Sequence, residues 1–465
     1  MELLREEKDE LNAEEISKWI EKYEESYVPE MVKKQRYSKG DNPFITDKPK
    51  KDANNPDNKV RLSYGRKLIT TFTGYGYRPG YITYNTDDEM NKAYYELLMK
   101  DFEKNNEHIK TSKNGKQTGI YGVSYELIYL DGDSENADIR FVPIKPQELI
   151  LLYDYQAEPE AKIAIRIVPM SALKQEITVY YADRIESYLR EREYEGAYAW
   201  KITKLKDEPN FFGEIPIIAY YLDDDSEGII WPVKDLINML DTLISGNMDE
   251  FERFANSYLR IVGISLEDPI KTKGPNQVID ALQRIRKRRV FERLKSKDDV
   301  TFLTKDLPTE FLKMMYDILK EQIHEQSHIP DLDERELSGI AVQRMMFNFE
   351  NVISTAEARF DEGLYKRIEL MNKIYAIRGE NIADPSVIDI SHKRNAPLNL
   401  KEFAETALIM KQGGFSREAI LLNMPTDMIP DKEMELERQN KETESMFDVT
   451  MFNRGNEEDA GSAEA

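Results

Sequence analysis

The 465-residue chain contains no cysteine. That excludes a disulfide framework and every thiolate metal site, and it accords with a reducing compartment. Histidine is scarce, with only His108, His324, His328 and His392. His324 and His328 have i, i+4 spacing, but no HExxH surrounds them, and the helix expected there frays near His328. No metal centre is therefore expected. No run of about 18 apolar residues occurs, so no membrane-spanning helix is expected. The charged start "MELLREEKDELNAEE" lacks the apolar core of a signal peptide. The phosphate-loop pattern GxxxxGK followed by Ser or Thr is missing, and "SKNGKQTG" offers only a Gly-Lys pair. "GYGYRPG" is one residue off the dinucleotide spacing and follows a helix where a strand is required. Serines lack a nucleophile elbow. Asp223, Asp224 and Asp225 lack the twelve-residue calcium pattern. No catalytic residue, metal ligand or cofactor is expected.

Positive charge is also in deficit, with 65 Lys and Arg against 87 Asp and Glu, a net charge of −22. Such a chain repels DNA on average, so any contact with nucleic acid is local or exploits repulsion. One segment runs against this balance. "ALQRIRKRRVFERLKSK", residues 281–297, holds eight Lys or Arg and one acid, Glu292. A solvated helix face, a nucleic-acid patch and an interface with an acidic partner, including a neighbouring copy, all fit it.

The length suits two to four structural units. Residues 13–27 read as an amphipathic helix with Ile16, Trp19, Ile20 and Tyr23 on one face. Residues 38–59, dense in Gly, Pro, Asn and Asp, read as irregular. Helices are expected over 60–71 and 88–109, with a turn and a strand between. From Gly119 the period becomes two, and six turn-punctuated strand segments run to Asp225. After Trp231 the chain turns helical. A helix of about 25 residues opens at Pro232, a mixed segment spans 258–303, and Pro308 opens a second helix. Gly339 to Arg378 reads as one helix of about 40 residues, or roughly 60 Å, with Gly363 as a candidate kink. "LKEFAETALIMKQGGFSREAILLNM" reads as an ordinary αα-hairpin rather than a DNA reader, since Arg417 is the second helix's only base. From Asp431 onward eleven acids face four bases, and the last 20 or so residues read as disordered.

The ordered set of these segments resembles the portal proteins of tailed bacteriophages, in particular the family of siphophages with Gram-positive hosts. The likeness spans about residues 30–440. It is carried by "RYSKGDNPFITDKP", "GIYGVSYELIYLDGD", "IRFVPIKPQELILLYD", "FGEIPIIAYYLDDDSEGIIWPVKDLINMLDTLISGNMDEFERFANSYLRIVG", "SHIPDLDERELSGIAVQRMMFNFENVISTAEARFDEGLYKRIELM" and "LKEFAETALIMKQGGFSREAILLNMPTDMIPDKEMELER". The "DEREL" at 333–337 departs from the Asn, Phe and Gly that relatives more often carry.

The resemblance implies an α+β portal fold: a mixed wing (1–230), stem helix 1 (231–257), an α/β clip (258–305), stem helix 2 (306–328), a tunnel loop (329–341), a long kinked wing helix (342–379), a helical crown (380–440) and an acidic disordered tail (441–465). It implies a dodecameric ring at one capsid vertex. Double-stranded DNA would pass through it without sequence specificity, in packaging and in ejection. The terminase large subunit and later the head-completion proteins would dock on the clip, and scaffold and major capsid proteins would be further partners. The chain would sit in the virion, and in the host cytoplasm during assembly, with no membrane role. Tunnel-loop candidates are Asp331, Asp333, Glu334, Arg335 and Glu336. Channel-lining candidates are Asp241, Asp249, Glu250, Glu310, Asp317 and Glu321. Clip-interface candidates are Arg284, Arg286, Lys287, Arg288, Arg289 and Arg293. The rival readings are a DNA-processing enzyme of the packaging machine, disfavoured by the missing motifs, and another virion structural or connector protein.

Overall fold

The computed structural model describes residues 3–50, 55–86, 89–132, 137–194, 200–255, 258–262, 299–303, 309–331, 339–394, 400–416 and 420. The chain divides into two units, Met1–Arg394 and Asn395–Ala465.

The first unit opens with β1 (Leu4–Arg5) and α1 (Ala13–Ser26). Asn12 starts α1 with a reciprocal cap: its side chain accepts from the Glu14 and Glu15 amides, and Glu15 accepts from the Asn12 amide at 3.0 Å. Two otherwise orphaned ends are thereby satisfied. Ile16, Ile20 and Tyr23 form the buried stripe. α2 (Val28–Ser38) follows. The stretch expected to be irregular contains one helical turn, α3 (Pro43–Thr46), because Asn42 accepts from the Phe44 amide and Pro43 fits a first turn. α4 (Tyr64–Gly76) and β2 (Ile82–Asn85) come next. The helix expected over 88–109 is instead two, α5 (Lys92–Asn105) and α6 (Glu107–Tyr121). The break is Asn106, whose φ of 50° is left-handed, a conformation asparagine tolerates. α6 also absorbs "SKNGKQTG", so that segment is helix and not a phosphate-cradling loop.

The strands are β3 (Val123–Asp131), β4 (Asp138–Ile144), β5 (Leu149–Tyr153), β6 (Ala161–Ser171), β7 (Lys174–Tyr180), β8 (Arg184–Glu191), β9 (Lys201–Pro209) and β10 (Ile217–Tyr221). One sheet has the order β1-β5-β6-β7-β8-β9, antiparallel except for the β1–β5 pair, and a second has the order β10-β3-β4. Alternation along β5 sends Ile150 and Leu152 to the main core, while Leu149, Leu151 and Tyr153 join Tyr125, Leu127 and Ile217 in a smaller core.

α7 (Lys234–Ala255) leads to an antiparallel pair, β11 (Tyr258–Val262) and β12 (Asp299–Leu303), and α8 (Thr309–Ser327) follows. α9 (Gly339–Ile377) then runs through the main core and presents Phe349, Ile353, Phe360, Leu364, Ile368 and Met371 to it. Gly363 lies inside this helix and provides clearance: a Cβ there would stand 2.4 Å from Tyr220 Cδ1. β13 (Asp389–His392) pairs with β2. In the second unit the described helix is α10 (Leu400–Gln412).

Candidate functional site

Two exposed helical surfaces and one ion cluster make up the candidate site: α7, α8, and the start of the loop that leaves α8. α7 buries Ile237 and Leu240. Its polar inner face is stitched to the chain's own N-terminal region. Tyr37 Oη donates to Asn238 Oδ1 at 2.7 Å. Asn42 Nδ2 and the Leu62 amide donate to the Asp241 carboxylate at 2.8 and 2.9 Å. The Asn58 amide and side chain donate to Asp249 at 2.7 and 2.9 Å. Burial raises the Asp241 pKa, and those two donors offset it only in part.

The sequence-based channel candidates therefore separate. Asp241 is 1% exposed and cannot line an open channel. Asp249 is half-buried and spends its carboxylate on Asn58. The reason for both corrections is the same. Residues 58–62 cross α7 outside any helix or strand, so their amides turn to side chains of α7, and a carboxylate is the strongest acceptor there. Glu250 is half-exposed, whereas Glu310, Asp317 and Glu321 are fully at the surface of α8. Their spacing of seven and four residues sets them on one face. Beside that stripe lies an apolar one, Phe311, Met314 and Ile318, which are 54, 49 and 44% exposed. On α7, Met248 and Phe251 are likewise uncovered.

At the far end of α8 the chain turns into residues 329–331. His328 adopts φ 55° and ends the helix. His324 is buried, with its Nδ1 2.8 Å from the Ile329 carbonyl. His324 and His328 thus do not form a shared ligand face, and no group of three metal-type side chains occurs among the described residues. Asp331 is buried rather than presented outward, which corrects the expected loop as well. Lys67 Nζ donates to its Oδ1 at 2.9 Å, and Lys320 contacts its Oδ2. Burial alone would raise the Asp331 carboxyl; the lysine hydrogen bonds outweigh it and bring the pKa to about 2. His324 Nε2 stands 3.9 Å from Asp331 Oδ2 with no hydrogen-bond partner. Burial depresses the His324 pKa, so the ring is neutral at pH 7. Asp331 thus pins the start of the following loop to α4 and α8. Asp333, Glu334, Arg335 and Glu336, and the basic Arg284, Arg286, Lys287, Arg288, Arg289 and Arg293, lie outside the described residues.

α9 is held by two further clusters that sequence reasoning missed. Arg367, fully buried, forks onto Glu126 through Nε at 2.7 Å and Nη2 at 3.0 Å, and onto Glu107 through Nη1 at 3.0 Å. Tyr84, Tyr220 and Asn114 donate to the same carboxylates. Near β13, Arg394 donates to Glu350 and Glu357, and His392 Nε2 sits 2.9 Å from Asp361 Oδ1. A signal for the first was present. Arg367 interrupts the apolar stripe Leu364, Ile368, Met371, and Glu126 interrupts an apolar strand.

Residues 17–446 match the family described as phage portal protein, SPP1 Gp6-like. Similar chains among solved structures include three from GTA particles. One is the neck of a native GTA particle computed with C12 symmetry (TM-score 0.46, 9% identity, 84% of this chain and 92% of that one). Another is the neck of an empty GTA particle computed with C6 symmetry (0.43, 10%, 84% and 92%). The third is the virion of a native gene transfer agent particle (0.43, 10%, 84% and 91%). No curated protein matches.

Proposed function

The chain belongs to the phage portal family, a family of structural proteins that form a ring at the capsid vertex, and on that premise we propose how its helices serve as a DNA conduit. The observation that carries the reading is the pair of adjacent stripes on α8. Phe311, Met314 and Ile318 cover themselves against a neighbouring copy, because an exposed apolar seam at helical spacing is costly in an isolated chain. Glu310, Asp317 and Glu321 then face the lumen. A duplex carries one phosphate charge per about 1.7 Å, and cationic walls would hold it by releasing its counterions. An acidic wall repels it, keeps it centred and lets it slide without sequence preference.

Asp331, locked between Lys67 and Lys320, anchors the residues that leave α8, and the tunnel loop expected at 329–341 would touch the duplex sterically more than by charge. The basic segment 281–297 pairs with acidic surface on a neighbour, the terminase large subunit or a head-completion protein. Twelve copies and a siphophage of a Gram-positive host complete the reading, and the family resemblance supports both.

The test is negative-stain electron microscopy with native mass spectrometry on the full chain, co-expressed with scaffold if needed. Rings with an axial hole are expected, and Phe311→Ser with Ile318→Ser should abolish them without altering the monomer's melting. A small oligomer without a channel would sink the reading. Replacing Glu310, Asp317 and Glu321 with Lys should leave the ring intact yet stall DNA passage in a packaging assay. Unchanged passage would remove those residues from the lumen.

A further inference from the structure

The core does not hold α7 along its whole length. Ile237, Leu240 and Ser245 are buried, but none of residues 247–252 is. Where the buried stretch ends stands the pair Ser245-Gly246. Glycine is a poor residue for a helix interior, and it earns its place there where a close approach or a left-handed backbone requires it. Gly246 meets neither need. Its φ is not positive, and a Cβ there would meet nothing within 4 Å. A Ser-Gly pair is instead one of the few features at which helices bend sharply. One turn earlier, Thr242 Oγ1 donates to the Asn238 carbonyl at 2.7 Å, a back-bond that also favours bending.

Residues 58–62 bridge this point. Before it, the Leu62 amide donates to Asp241 Oδ1 at 2.9 Å. At it, the Val60 amide donates to Ser245 Oγ at 3.0 Å, and that hydroxyl faces the Val60 carbonyl at 3.4 Å. Beyond it, the Asn58 amide and Nδ2 both donate to Asp249 Oδ1, at 2.7 and 2.9 Å. The bonds thus fall on every fourth residue of the helix and every second residue of the crossing segment. Four helical residues rise about 6 Å, which two residues of a near-extended chain span. One rigid segment is thereby fastened to the helix on both sides of its weakest residue.

We propose that Ser245-Gly246 is a hinge in α7 and that residues 58–62 are the latch that holds it straight. With the Asn58–Asp249 bonds made, α7 is one rod. With them broken, the part beyond Gly246 swings, and with it the direction in which the chain leaves toward β11. The inference stands apart from the conduit reading, because every bond it uses lies within one chain.

The experiment uses the full chain, whose lack of cysteine lets nitroxide labels be placed without background. Phe251→Cys reports the far part of α7, and the exposed Lys39→Cys or Glu96→Cys serves as a reference on the body. Distances within one copy are read by double electron–electron resonance, with labelled chain diluted in unlabelled chain. The parent should give one narrow distance from each reference. Asp249→Ala, which removes the acceptor of both Asn58 bonds, should add a second population. A bend of about 20° displaces position 251 by about 3 Å. Adding Gly246→Ala should shrink that population about fivefold, the margin between glycine and alanine inside a helix. A single unchanged distance in Asp249→Ala from both references would overturn the proposal. So would two populations in the parent, because the bonds would then latch nothing. Amide exchange separates a swing from fraying: the amides of 250–252, bonded wholly beyond the hinge, should stay as protected as in the parent. Their loss of protection in Asp249→Ala would mean that the helix end unravels, and there would be no hinge.

Discussion

Arg367 and Asp331 are both buried charges with two opposite partners, yet they differ in what surrounds the partners. Around Arg367 the partners Glu107 and Glu126 are themselves buried, and every carboxylate oxygen that faces it is fixed by hydroxyl, amide or guanidinium donors. Around Asp331 the partners Lys67 and Lys320 keep about a third of their side chains in water, and the nearby His324 has a nitrogen left over. The first cluster welds α9 to α6 and β3. The second holds one end of a loop. A closed network of this kind fixes a single geometry, whereas an open one can exchange a partner for water at modest cost.

The largest expected effect follows from the closed network. Arg367→Ala leaves two carboxylates buried without compensation and should cost about 3–5 kcal/mol in urea unfolding. Arg367→Lys should recover only part of that, because an ammonium cannot fork onto Glu126 while reaching Glu107. A loss below about 1 kcal/mol for Arg367→Ala would mean that water enters the cluster, and the contrast with Asp331 would vanish.

How much of this was legible beforehand varies with the physics of each part. The helices α1, α7, α8 and α9 follow from the apolar period, and β5 to β9 of the large sheet from alternation, whereas β1 was not foreseen. The break at Asn106 was not legible, because both halves carry the same apolar period and only a left-handed residue divides them. α3 was masked by its composition, although Asn42-Pro43 is a start signal. The acids of α7 show the limit at the site. Sequence marks Asp241 and Asp249 as acidic positions on a helix, but only the fold brings Asn42, Asn58 and the Leu62 amide against them. On α8, Glu310, Asp317 and Glu321 are exposed, but helical position alone does not say which exposed face meets a lumen and which a neighbour.

His324, buried, and His392, partly buried, sharpen the comparison through pH. Burial lowers the His392 pKa, but hydrogen bonds with Asp361 and Glu357 outweigh it and raise it to about 9. Its folded value thus lies above the ordinary 6.5, so its contribution is complete below pH 6.5 and is lost as pH rises through about 9. A shift of that size corresponds to about 3 kcal/mol. His324 has the opposite sign. Its contribution is complete above pH 6.5 and is lost as pH falls below it. Unfolding free energies measured from pH 5.5 to 9.5 should therefore fall on both flanks. His392→Gln should flatten the alkaline flank alone, and His324→Gln the acid flank alone. If His324→Gln left the acid flank unchanged, the ring would not be held neutral beside Asp331.

The smallest expected effect belongs to the open cluster itself. Asp331→Asn keeps the shape and the acceptor oxygen but removes the charge that Lys67 and Lys320 share. Both ammoniums can turn toward water, so the loss should be about 1–2 kcal/mol. Because the Asp331 carboxyl is held at about 2, the wild-type contribution is present above pH 3.8 and fades as pH falls toward 2. Asp331→Asn should therefore show no further loss in that window. The informative readout is the loop: amide hydrogen exchange at Ile329 and Asp331 should quicken in Asp331→Asn while α4 and α8 stay protected. Should α4 and α8 lose protection too, Asp331 would be a brace of the whole fold like Arg367, and the loop would have no independent hold.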